Sequence, residues 1–199
     1  MQILLEKNER YIYAKFSKKL KTVSSSFYNG GYGESEGFFI LNVDENFDQD
    51  PEKIARDFEK SKNIYGFVGF LTAVDLTKNA FFYEDKNFFI TITLGLGYIC
   101  IPGEDCKKSK TINSILVEKN GIEFSCAMDL LNVLISTKVY SLMKAGKGIG
   151  TSSDAFMIAF SEKRGTKYGG FATEIGKSLS LIILNLMDSA INKISKNYE

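Results

Sequence analysis

GKGIGTSSDAFMIAF, Gly146 to Phe160, is the stretch on which the reading of this chain turns. Its first half is made of glycines, hydroxyls and one carboxylate, Asp154, and its second half, Ala155 to Phe160, is apolar throughout. A short apolar run with no polar face predicts an interior β-strand. Gly146, Gly148 and Gly150 permit a sharp turn or a close approach of a ligand to the backbone. A polar cluster at the mouth of a buried strand is a common place for a ligand. The same residues would also serve as an ordinary tight connection between a helix and a strand.

On the N-terminal side of this stretch, residues 124 to 144 form the longest uninterrupted periodic segment. Leu130, Leu131, Leu134, Ile135, Val139 and Leu142 cover a broad face, and charge is confined to Asp129, Lys138 and Lys144. That pattern predicts a mostly buried helix. On the C-terminal side a turn over Arg164 to Gly170 precedes a second helix over 172 to 194, with Leu179, Ile182, Ile183, Leu186, Met187, Ala190 and Ile194 inward. Burying one Leu or Ile side chain contributes roughly 1.5 to 3 kcal/mol, so two such helices cover the greater part of one sheet.

The first half of the chain is richer in strands. Residues 2 to 7 and 10 to 16 read as a strand pair, and in the second Tyr11, Tyr13 and Lys15 alternate with Ile12, Ala14 and Phe16. Leu20 to Ser25 extends the sheet, and Ser24 to Ser35, SSSFYNGGYGES, reads as a turn. Gly37 to Val43 is an apolar strand with Asn42 near its end. Asp50 then caps a short amphipathic helix over 51 to 61 that starts on Pro51. Further strands are expected at Gly66 to Val74, Asn79 to Tyr83, Phe88 to Leu94 and Thr111 to Val117, the last closed by Asn120-Gly121. The fold class is therefore α/β in the sense of a mixed α+β sandwich. Largely antiparallel or mixed sheets are packed by two long helices, in a single domain over 1 to 199.

Composition narrows the chemistry. The chain has 199 residues, 44% of them apolar, which is enough for one sizeable core. Lys and Arg total 25 against 24 Asp and Glu, so nothing calls for a nucleic-acid partner. No segment reads as a signal peptide or a membrane span, and the expected setting is cytoplasmic. Histidine is absent, which removes the commonest general base, the commonest neutral metal ligand and every histidine-dependent triad. No metal site and no cofactor are expected. Cys100, Cys106 and Cys126 form no CxxC pair and read as one or two core thiols and an exposed one, without a disulfide framework. The lysines at 107, 108 and 110 read as a solvated loop. A small sheet with exposed edges makes a homodimer plausible.

Nucleotide motifs fail on inspection. GKGIGTSSD lacks the GxxxxGK[ST] order, and it follows a helix where a P-loop follows a strand. A Rossmann reading fails likewise, because the strand before it and the helix after it are missing. What remains is a set of short polar groups at strand ends: Thr72, Thr93, Thr111, Asn113, Thr151, Ser153 and Asp154. Hydroxyls and amides offer both donors and acceptors, which suits a ligand carrying many amides. They are equally the residues that fill β positions and cap turns.

Taken together, NGG at 29 to 31, LNV at 41 to 43, VGFLTA at 68 to 73, TLG at 93 to 95, TIN at 111 to 113 and GTSSDA at 150 to 155 resemble the adenosylcobinamide amidohydrolase family of cobamide salvage. Gly169, Gly170 and Gly176 continue the likeness. The resemblance implies hydrolysis of the amide that joins a corrinoid propionyl side chain to its aminopropanol arm, giving adenosylcobyric acid. The corrinoid would be the substrate, with no separate cofactor. Asp154, Thr151 and Ser153 are the candidate catalytic residues, Asp154 activating a water or a hydroxyl, with Thr151 the first choice for that hydroxyl. Backbone N–H groups of Gly148 to Ser152 would stabilise the oxyanion. Asn29, Gly30, Gly31, Asn42, Thr72, Thr93, Thr111, Asn113, Gly148, Gly150 and Ser152 are the candidate substrate-binding residues. The family commonly has threonine, glutamate, alanine and lysine in succession in the long helix, where this chain has Ser136, Thr137, Lys138 and Val139. Ile149 and Ser153 stand where threonines are usual, and Leu96 and Gly97 follow TLG where an asparagine is usual nearby. These departures keep open a relative that binds a corrinoid or another small molecule without hydrolysing it, or one in which the turns serve packing alone.

Overall fold

The computed structural model describes residues 1–96, 100–105 and 110–196. Gly97, Cys106, Lys107 and Lys108, named above, lie outside the described residues. The strands are β1 (Ile3–Lys7), β2 (Tyr11–Ser24), β3 (Gly31–Asn42), β4 (Phe67–Thr72), β5 (Ala80–Glu84), β6 (Phe88–Leu94), β7 (Ile112–Glu118) and β8 (Ala155–Phe160). The helices are α1 (Pro51–Lys62), α2 (Leu76–Asn79), α3 (Phe124–Lys144) and α4 (Glu174–Lys196).

All the strands join one sheet in the order β4-β3-β2-β8-β7-β6-β5, with β1 alongside β2. The pairs β3·β4 and β7·β8 are parallel and the rest antiparallel. This is the mixed α+β architecture expected from the order of elements, and it is neither a Rossmann nor a P-loop fold.

β8 sits between β2 and β7, as its unbroken apolar run requires. β2 carries the sheet's curvature. Its register against β3 shifts between Lys15 and Leu20, so its first half meets β1 and its second half meets β8. A bulge of this kind bends a strand and increases its twist. The bend lets the sheet close over its own inner face. Phe16, Leu20, Phe38, Ile40, Val68 and Phe70 pack there against Phe89, Ile115, Val117 and Met157 from the far strands.

The outer face is covered in two places. α3 and α4 bury Leu130, Leu134, Leu179, Ile183 and Met187 against Ile90, Ile92, Leu116 and Ile158. α1 covers Tyr13, Phe39 and Phe67 at the other end. By length and composition α3 would also suffice to cross a membrane, but 56% of that span is buried inside the structure, where it is the core helix.

Local chemistry accounts for the start of α1 and for the tight packing of α4. Asp50 Oδ1 accepts from Glu52 N at 2.9 Å ahead of Pro51, a cap worth about 1 kcal/mol. A Cβ on Gly176 would lie 2.1 Å from Gly170 O, so the first turn of α4 rests directly on the preceding backbone.

Three details differ from the sequence expectation. Gly31 to Ser35 belong to β3 and not to a turn, because the hairpin corner is confined to residues just before Gly31. α2 is a single turn capped by Asp75, too short to show periodicity. Cys100 is disulfide-bonded, whereas Cys126 is the expected buried thiol.

Candidate active site

The parallel pairing of β7 with β8 sets Asn113 beside Ala155 and brings the loop before β8 against Thr111. A cleft of about 440 Å³ opens there. Thr111, Asn113, Ser153 and Asp154 form its polar wall with Ser25 and Ser26, while Phe27, Phe47, Pro51, Phe70 and Leu71 form the apolar one.

Asp154 is the hub of this wall. Oδ2 accepts from Lys138 Nζ at 2.5 Å, and the two side chains are 20% and 8% exposed. Oδ1 accepts from Thr151 N at 3.1 Å, from Ile112 N at 3.3 Å and from the Thr151 hydroxyl. A carboxylate oxygen has about two lone pairs, so Oδ1 is saturated. Oδ2, with Lys138 as its donor, is the oxygen that keeps an acceptor position.

Gly150 makes this arrangement possible. Its φ of +151° is a conformation other residues resist, and a Cβ there would stand 2.3 Å from Asp154 Oδ2 and 3.4 Å from Lys138 Nζ. The glycine is required by the ion pair behind it.

Beside the carboxylate, the hydroxyls of Thr111 and Ser153 lie 2.8 Å apart. Two hydroxyls share one hydrogen bond, which leaves one O–H hydrogen for a ligand. Asn113 is 1% exposed. Its Nδ2 donates to Leu71 O and to Thr93 Oγ1, both at 3.1 Å, and its Oδ1 has no partner among the described residues. The carbonyl at Leu71 fixes which way this amide points, since two acceptors cannot face each other.

The expected site residues therefore divide. Asp154, Ser153, Thr111 and Asn113 come together on the cleft, and Thr93 supports Asn113 from behind. Thr151 does not line the cleft; its hydroxyl and its N–H both serve Asp154, so that N–H leaves the expected oxyanion set. Gly148, Gly150 and Ser152 belong to the supporting loop and do not line the cleft.

Several others stand apart from it. Asn29 donates through Nδ2 to Phe67 O at 2.8 Å, and a Cβ on Gly30 would lie 2.1 Å from Ser26 O. With Gly31 at φ +85°, the NGG segment forms the exposed corner that leads into β3 and does not line the cleft. Asn42 lines a different groove, beside Arg10 and Asp75, and donates to Val74 O. Thr72 is buried at the end of β4, where its Oγ1 accepts from Val74 N. Gly169 and Gly176 serve close packing, since a Cβ on Gly169 would meet Cys126 and Leu130 at 2.9–3.0 Å.

Sequence reasoning counted Lys138 among the few charges of its helix without giving it a partner, and passed over Ser25, Ser26, Phe27 and Phe47 as site residues. A lysine in an otherwise apolar helix face is the signal that a carboxylate must meet it, because an unpaired buried ammonium is costly.

Fold and site together define a mixed α+β protein with a hydroxyl-, amide- and carboxylate-walled cleft at the mouth of an interior strand. The chain belongs to the adenosylcobinamide amidohydrolase family, whose model matches residues 1–198. No curated protein shows a significant match to it.

Proposed function

We propose that this chain hydrolyses the aminopropanol amide of adenosylcobinamide, or of a close corrinoid, in the cleft around Asp154. The observation that carries the reading is the Lys138–Asp154 pair, held by Thr151 and Ile112, with Asp154 lining the cleft beside the Thr111–Ser153 hydroxyl pair.

A water resting on Asp154 Oδ2 gives up a proton to it and attacks the amide carbon. The developing oxyanion takes the remaining O–H hydrogen of the Thr111–Ser153 pair, a donor already in place. As the C–N bond breaks, the proton held on Asp154 passes to the departing nitrogen, leaving a carboxylic acid and a free amine. Lys138 holds Oδ2 in position and offsets the carboxylate's charge. A cleft of about 440 Å³ takes a side arm and leaves the macrocycle outside, against the rim formed by Phe27, Phe47 and Pro51.

A second reading is a binding protein without turnover. It is favoured by Thr137, which stands where the resemblance places an acid and whose Oγ1 is buried without a partner among the described residues. The two readings part on one experiment. Purified chain is incubated with adenosylcobinamide, and both products, adenosylcobyric acid and aminopropanol, are followed by mass spectrometry. Equimolar release of both supports hydrolysis; saturable binding with neither product selects the second reading.

A further inference from the structure

Asn113 is the residue in the cleft whose hydrogen bonding is incomplete. Its Nδ2 is held by Leu71 O on β4 and by Thr93 Oγ1 on β6, so the amide bridges strands that are far apart in the sheet order. Thr93 Oγ1 also accepts from Asn113 N at 3.3 Å, which ties backbone and side chain to one oxygen. The other end of the amide, Oδ1, is shielded from solvent and has no partner among the described residues. A buried acceptor left unsatisfied costs roughly 1–3 kcal/mol, and native structures retain such a group where something else completes it. Asn113 itself lines the cleft, the side from which a donor on a bound ligand would come.

We infer that Asn113 is a specificity-determining residue: its Oδ1 accepts the N–H of the amide that is cleaved. This rests on the hydrolytic reading above and adds to it a substrate requirement. The site reads a secondary amide, which has an N–H, over an ester or a tertiary amide, which has none. A site built to hydrogen-bond a substrate N–H rejects the analogue lacking it, because the site's own polar group is then left unpaired. Leu71 O and Thr93 Oγ1 are positioning groups that keep Oδ1 pointed at the substrate.

The test uses the full chain and two substrates, adenosylcobinamide and its ester isostere with oxygen in place of the scissile nitrogen. The ratio of kcat/KM for amide over ester is measured for wild type, Asn113→Ala and Asn113→Asp, with thermal melting of each. Asn113→Ala lowers the amide-to-ester ratio by about tenfold or more, and Asn113→Asp, which sets a second acceptor against Leu71 O and so loses the bond that positions Oδ1, lowers it as well. A purely structural Asn113 would lower melting temperature and leave the ratio unchanged in both variants, which would overturn the assignment. Should either variant fail to fold, Thr93→Val loosens the same amide from behind and shifts the ratio in the same direction; an unchanged ratio there counts equally against it. A wild type inert on both substrates would overturn the hydrolytic reading and this inference together. An active wild type with unaltered ratios in the variants would overturn this inference alone.

Discussion

Removing Asp154 destabilises this protein more than removing Lys138, and removing both costs less than the two losses added. The asymmetry follows from what each change leaves behind. Asp154→Ala strands the Lys138 ammonium, 8% exposed, with no carboxylate, and releases Thr151 and Ile112 from the loop before β8. Losing one partner of a buried ion pair costs about 3–5 kcal/mol. Lys138→Met leaves a carboxylate that is 20% exposed and still takes three donors on Oδ1, so its cost is about 1–2 kcal/mol. In the double variant no charge is stranded. Its loss lies near that of Asp154→Ala or below it, a coupling of about 1–2 kcal/mol or more. Urea unfolding of the four proteins, followed by circular dichroism, reads these differences as shifts in midpoint at constant slope. Losses that add to within about 0.5 kcal/mol would refute the argument that the two groups form one buried unit.

Gly150→Ala drives a Cβ into Asp154 Oδ2 and forces a φ that alanine resists, so both melting temperature and turnover fall, turnover by about a hundredfold or more; wild-type turnover in this variant would show that the carboxylate's placement is unimportant. Burial holds the Cys126 thiol up at about 11, so iodoacetamide at about pH 8 leaves that residue unlabelled in the native protein and labels it in urea. Burial also raises the Glu118 carboxyl above its ordinary 4.5, against N–H donation from Asn120 and Gly121. The folded protein therefore holds that proton more tightly than the unfolded chain. Its contribution to stability is greatest below the ordinary value and declines as pH rises through the raised one. Glu118→Gln removes that decline, which melting curves between about pH 4 and about pH 7 would reveal; an unchanged slope would count against it.

Much of the fold is written in local periodicity. β6, α3 and β8 run over the residues that apolar patterning gives them, because each is long or apolar enough for one period to dominate. The errors fall where local chemistry is ambiguous. Gly31 to Ser35 carry the glycines and polar residues of a turn, yet pairing with β2 draws them into β3.

Legibility of the site has the same limit. Asp154 and Ser153 were visible because a single short stretch contains them, and Thr111 and Asn113 because they open a strand. That Lys138 faces Asp154 depends on how α3 is rotated over β8, and that Ser25 and Phe27 share the cleft depends on the curl of the sheet. Neither is a property of any one segment. Asn29, Asn42 and Thr72 show the converse: polar residues at strand ends that complete backbone hydrogen bonds and face elsewhere.

Rates of aminopropanol release from adenosylcobinamide by wild type and by Asp154→Asn, compared at equal folded concentration, test the central claim most directly. Asparagine keeps an oxygen for the donors at Oδ1 and takes away the proton acceptor at Oδ2. The account predicts steady release by wild type and a loss of about a hundredfold or more in the variant. Equal rates in the two proteins, or no release by wild type, would contradict it.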